Sequence, residues 1–151
     1  RGSKYGIHDL SRSRAGAAGE YLRMNMPFEL GLDLGARRFG SGQLESKVVL
    51  VLESERYDSQ KALSDIAGWD VEAHGNDYLT AIRRVHRWLT SQAPIKRIGP
   101  SMIEGKYIAF GSWYWNRELA TGASEGDIRE YPTVDVVRAM HDWMGEGQPA
   151  T

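Results

Sequence analysis

Apolar positions change their period several times along this chain, and each change marks an element. In KYGIHDL, residues 4–10, Tyr5, Ile7 and Leu10 alternate with small or polar residues. That predicts a short strand with His8 and Asp9 at its carboxyl end. Residues 11–23, SRSRAGAAGEYLR, carry little apolar pattern and read as a loop. A helix is predicted from Asn25, its N-cap, to Phe39, with Pro27 in the first turn and GSG as the stop. Gly31 and Gly35 share one face of it. Each costs about 1 kcal/mol relative to Ala, which predicts close approach of a sheet or a ligand.

KVVLVLE, residues 47–53, is a continuous run of β-branched residues and Leu, as expected of a central strand buried on both faces. The polar stretch 54–68 is expected to hold a short helix ending near Gly68. WDVEAHG predicts a strand through Trp69, Val71 and Ala73, with His74 and Gly75 at its end. After Asn76 or Asp77 as cap, Leu79, Ile82, Val85 and Leu89 recur at helical spacing. Pro94, Gly99 and Pro100 break the pattern. A helix follows from Met102 to about Leu119, with Ile103, Tyr107, Phe110 and Tyr114 on one stripe. TGASEGDIREYP, residues 121–132, reads as a linker, and Val134 to Trp143 as a last helix.

Strands alternating with helices around a Val/Leu-rich centre predict an α/β fold: a mostly parallel sheet flanked by helices, with extra C-terminal helices. The expected division is an α/β core over 1–92, a helical extension packed on it over 93–145 and a disordered tail over 146–151. Three strands are few for a covered parallel sheet. The expectation is therefore either a missing N-terminal strand–helix unit or an oligomer that completes the sheet. Trp113 and Trp115, two apart on a helix, cannot face one core side. One is expected to be exposed or covered by a second subunit, so a homo-oligomer is the expected state.

Composition removes several function classes. With 151 residues, 41% hydrophobic and 26% charged, the chain suits one sizeable core. Its net charge of -1 gives no nucleic-acid footprint. The basic run RRVHR, Arg83 to Arg87, reads as a solvated helix face. No cysteine is present, which excludes disulfides and thiolate chemistry and agrees with a cytoplasmic, reducing location. No apolar run reaches the roughly 18–20 residues needed to span a bilayer, so no membrane partner is expected. The four histidines lack ligand spacing, so no metal site is expected.

Ligands of open parallel sheets bind beyond the carboxyl ends of the strands. His8, Asp9, Ser11 and Arg12 map there, as do Glu53, Glu55, Arg56 and His74. A helix following a strand begins at that same end. This puts Glu29, flanked by Phe28 and Leu30, in a first turn over the crevice, where the helix dipole favours a carboxylate by about 0.3–1 kcal/mol. Glu29 suits a helix N-terminus or an ion pair with Arg12, Arg14, Arg23 or Arg38 as well as a catalytic role. Ser11 and Arg12 suit phosphate, for which Arg has the matching geometry.

RMNMPFELGLDLG, residues 23–35, resembles the N-x-x-F-E-L-G-x-x-x-G segment of bacterial TIR-like proteins, flavodoxin-like domains of the Toll/interleukin-receptor family. Its FELG core is also similar to that of nucleoside 2-deoxyribosyltransferases. In both families the glutamate acts at the anomeric carbon of a ribosyl group, and many TIR domains cleave the nicotinamide glycosidic bond of NAD. The resemblance implies Glu29 as the catalytic carboxylate, framed by Asn25, Phe28, Leu30, Gly31 and Gly35. YGIHDLSR, Tyr5 to Arg12, resembles the preceding strand and loop that line the nucleotide pocket. It implies His8, Asp9, Ser11, Arg12, Asn25, Phe28 and His74 as nucleotide-binding positions, with NAD or a related nucleotide as substrate and no cofactor required. The implied setting is bacterial defence or signalling. The chain is also similar, over nearly its whole length, to bacterial proteins carrying YGIHDLSR, NMPFELGL, SDIAG and AHG, a likeness that implies no activity. Both enzyme families have a strand and a Gly- or Ser-containing loop before this region, which these residues lack. An alternative expectation is a non-catalytic nucleotide sensor or an oligomerising interaction module.

Overall fold

The computed structural model describes residues 3–12, 24–66, 68–95 and 97–149. From residue 13 onward, the loop expected over 11–23 lies outside the described residues. The chain divides into two units, one up to Arg97 and one from Ile98.

The first unit is built on a parallel sheet in the order β1 (Tyr5–Asp9), β2 (Val48–Glu53), β3 (Asp70–Ala73). The mostly parallel α/β fold expected from the alternation is therefore present. Helix α1 (Asn25–Phe39) connects β1 to β2, and two 3-10 turns, Ser59–Lys61 and Ser64–Ile66, stand between β2 and β3. Those turns replace the expected short helix. Both connections pack on one sheet face, where Leu30, Ile66, Val49 and Val51 form a core with Leu34, Leu63 and Trp69 against it. Helix α2 (Tyr78–Gln92) covers the other face, packing Trp88, Val85 and Leu89 on Leu50 and Leu52. The central strand is apolar on both sides because both of its sides are covered, as its unbroken Val/Leu run requires.

β1 behaves differently from its pattern. Gly6, His8 and Leu10 are the buried positions, whereas Ile7 is 42% exposed. The reason is α1, which lies over the even-numbered face and brings a polar partner for His8. Trp88 anchors α2, with its indole Nε1 donating to Asp70 at 2.8 Å and its ring meeting Tyr5 edge-on. Asp77 caps α2 by accepting from the Thr80 N–H.

The second unit contains α3 (Pro100–Ala120), α4 (Glu125–Glu130) and α5 (Thr133–Gly145). Phe110, Tyr114, Ile128, Ala139 and Trp143 make its core. Tyr107, expected on the buried stripe of α3, is 46% exposed. The expected linker over 121–132 contains α4, closed by a capping box between Ser124 and Asp127. Its S-x-x-D signature is present in the sequence and was hidden by the surrounding Gly residues. Trp113 and Trp115 are both half-buried and flank Tyr114, because the core cluster wraps more of α3 than one stripe. The tail expected to be disordered is tied back as far as Pro149. The Gln148 N–H donates to the Trp143 carbonyl, and the Trp143 indole donates to the Pro149 carbonyl. Among the described residues, no helix is long and apolar enough to cross a membrane.

Candidate functional site

The carboxyl edge of the sheet is formed by the ends of β1, β2 and β3. Asp9 and His74, on the outer strands, meet there: the His74 Nε2 lies 3.4 Å from Asp9 Oδ1. The Ser11 N–H donates to the same oxygen at 2.9 Å, the turn that short Asp side chains make with the backbone two residues on. His74 is buried, and its Nδ1 has no hydrogen-bond partner among the described residues. The Asp9 side chain is 49% exposed. Burial pushes the Asp9 carboxyl up, but hydrogen bonds from Ser11 and His74 outweigh it and hold the group below its ordinary value of 3.8.

This depression has a definite sign. A carboxylate favoured in the folded state adds stability above its unfolded pKa and loses it as pH falls through the lower folded value. Wild type is therefore expected to lose stability below about pH 4 more steeply than Asp9→Asn, read as urea midpoints at pH 5 and pH 3. Asp9 is half in water, so the difference is small.

The hydroxyl-bearing residue beside this pair does not make a nucleophile. Among the described residues Ser11 bonds to Asp9 rather than to the imidazole, so the order is Ser–Asp–His and not the Ser–His–Asp of an activated hydroxyl. The arrangement instead fixes a half-exposed carboxylate at the strand ends, suited to accepting hydrogen bonds from sugar hydroxyls.

Glu53 closes the central strand at the same edge. It is 2% exposed and accepts from the Tyr57 N–H at 2.7 Å, the Ser59 N–H at 2.9 Å and the Ser59 hydroxyl at 2.6 Å. These bonds hold the loop after β2 in a fold that puts Tyr57 at φ 67°, a strained conformation for a residue with a Cβ. After β3, Gly75 and Asn76 at φ 62° and 58° form the turn that leads into the Asp77 cap. The sequence places Glu53 at this edge but carries no sign of its role in the loop. The signal for the placement is a charge ending an otherwise apolar strand.

The α1 residues fall differently from expectation. The N-cap is Met24, with no side-chain cap, and Asn25 is the first helical residue. No acidic residue lies in the first turn; Glu29 is the fifth residue of the helix. Glu29 and Phe28 are exposed, and no hydrogen bond or ion pair joins Glu29 to another described residue. Glu29 therefore incurs no burial cost. Arg12 is exposed.

The carboxylate on the inward face of α1 is Asp33. Its Oδ2 lies 3.1 Å from His8 Nε2 and its Oδ1 lies 3.1 Å from Lys47 Nζ. Lys47 also donates to the Ser3 carbonyl at 2.9 Å. His8 thus belongs to a buried polar cluster beneath α1, apart from the Asp9–His74 pair. Gly6 makes room for it: a Cβ there would stand 2.4 Å from Asp33 Oδ2. Gly6→Ala is expected to cost about 1–3 kcal/mol in urea unfolding. In an Asp33→Ala background the same change is expected to cost far less, because the clashing oxygen is gone.

Among the described residues, no group of three or more His, Asp or Glu is arranged to hold a metal ion. Of the sequence-derived positions, the structure brings Asp9, Ser11 and His74 together. Comparison with protein-family models, curated proteins and solved structures finds no match for this chain.

Proposed function

We propose that the chain binds a nucleotide at the carboxyl edge of its sheet, with Asp9 accepting hydrogen bonds from a ribose hydroxyl. The observation that carries this reading is the Asp9 carboxylate, fixed by the Ser11 N–H and His74 yet half open to water. Parallel topology supports it, since ligands of such sheets bind beyond the strand ends. The resemblance around FELG supports NAD or a related nucleotide as the ligand and hydrolysis of its N-glycosidic bond as the reaction. In that reaction positive charge builds on the ribosyl carbon, and Glu29 stabilises it or attacks it covalently.

A second reading, a nucleotide sensor without turnover, is favoured by one feature. Glu29 is not held by any described side chain, whereas carboxylates that do chemistry work best when positioned. One experiment separates the two. Purified protein is incubated with NAD, nicotinamide release is followed, and binding is measured by calorimetry. The enzyme reading expects release that falls at least about 100-fold in Glu29→Gln with binding retained, and binding that weakens at least about tenfold in Asp9→Asn. Binding without release points to the sensor. No binding of NAD, AMP or nucleosides contradicts both.

A further inference from the structure

The last turns of α1 and the start of β3 enclose a concavity of about 780 Å3 at the amino end of the strands, away from the Asp9–His74 pair. Its size is within the range of small-molecule sites. Gly31, Gly35, Arg37, Arg38, Glu45 and Trp69 line it. A Cβ added at Gly31 or Gly35 would meet nothing within 4 Å. The two helical glycines therefore gain no close packing within the described chain, although each weakens the helix by about 1 kcal/mol relative to Ala. Their effect is to leave the wall of the concavity flat and open.

The rest of the lining is aromatic and cationic: Arg37, Arg38 and Phe39 from the end of α1 and Trp69 from the start of β3. Trp69 packs against the Leu30–Val51 core, and the Arg37 guanidinium lies 4.8 Å from its ring centroid. Arg38 lies over Phe39, a ring 83% exposed. Neither arginine has a carboxylate within ion-pairing distance among the described residues. Two arginines in a last turn complement the helix dipole, which accounts for their sign. It does not account for their placement over two aromatic rings beside a glycine wall. Guanidinium groups held over ring faces retain N–H donors for an anion.

We propose that this concavity binds a small planar aromatic anion, its ring lying along the Gly31–Gly35 wall beside Trp69 and its carboxylate or phosphate received by Arg37 and Arg38. Charge complementarity selects the anion, and the flat wall selects a planar body. Glu45 at the rim disfavours ligands with a second negative group on that side. The site is separate from the proposed nucleotide edge and stands or falls independently of it.

The test is an amide and indole NMR titration of the full chain with 2-naphthoate, with 2-naphthalenemethanol as the uncharged control. Saturable shifts of the Trp69 indole N–H and the Gly31 and Gly35 amides are expected, with the alcohol binding at least about tenfold more weakly. Arg37→Gln is expected to weaken naphthoate at least about fivefold. Gly31→Leu, whose side chain enters open space, is expected to abolish the shifts with the melting temperature retained. If Gly31→Leu fails to fold, Gly35→Ala is expected to weaken binding while raising helix stability. The proposal is overturned if naphthoate leaves these resonances in place, if the alcohol binds equally well, or if the variants bind like wild type. Shifts confined to the surroundings of His74 also overturn it.

Discussion

Asp33→Ala is expected to destabilise the first unit by about 2–4 kcal/mol, read as a shift of the urea unfolding midpoint. Asp33 is the anionic partner of two buried groups, His8 and Lys47, whose side chains are 8% and 7% exposed. Removing it leaves the Lys47 ammonium with the Ser3 carbonyl as its remaining acceptor among the described residues. Losing one partner of a buried pair costs more than the pair contributes, because the other charge stays desolvated. Asp33 itself is 25% exposed, which moderates the loss. The same logic gives an internal control. Asp33→Ala combined with Lys47→Met is expected to recover at least half of the loss, since an apolar side chain of similar length needs no counter-charge. A single variant within about 0.5 kcal/mol of wild type rules out this role for Asp33.

Glu53→Ala is expected to cost a similar amount, about 2–4 kcal/mol, with a different local signature. The carboxylate accepts from two backbone N–H groups and a hydroxyl in the loop after β2. Without it those donors turn to solvent, and Tyr57 is free to leave its positive φ. Amide exchange at Tyr57 and Ser59 is therefore expected to accelerate at least tenfold more than exchange at Val49 or Val51. Uniform acceleration would mean that Glu53 acts on global stability alone. Glu53→Gln keeps the shape but not the charge, and is expected to fall between Ala and wild type.

The sheet was legible in the sequence because its centre is extreme: a short unbroken run of Val and Leu suits a strand covered on both faces. The helix at Asn25–Phe39 was legible from Pro27 and the stop at Gly40. What period alone did not reveal is which side of β1 points inward. Tyr5 and Ile7 look like the core side, but a buried polar cluster fixes the opposite side. Such clusters leave no hydrophobic signal. Their trace is indirect: Asp33 between Leu32 and Leu34, Lys47 at the foot of an apolar strand and a small residue, Gly6, facing them.

The candidate site was partly legible for a similar reason. Strand ends are where ligands of such sheets bind, and the sequence order puts Asp9 and His74 at the carboxyl edge, where the structure also has them. Their contact spans the central strand and has no counterpart in sequence spacing, since 65 residues separate them. His8 is next to Asp9 in the sequence but points to the other face of the sheet, because adjacent strand residues alternate. Glu29 is expected in the first turn over the crevice, but it is the fifth residue of the helix and lies on its exposed side. In the second unit, Gly122 before α4 and Gly126 inside it favour a linker, while the capping box carries the opposite signal.

Nucleotide binding at the carboxyl edge is tested most directly by histidine-selective NMR during a titration with NAD. His74 and His8 serve as paired reporters, one at the strand end on Asp9 and one beneath α1 on Asp33. Saturable movement of the His74 ring resonances is expected, with those of His8 nearly stationary, and loss of the response in Asp9→Asn. NAD that leaves His74 unmoved, or moves it equally in Asp9→Asn, would contradict binding at this edge.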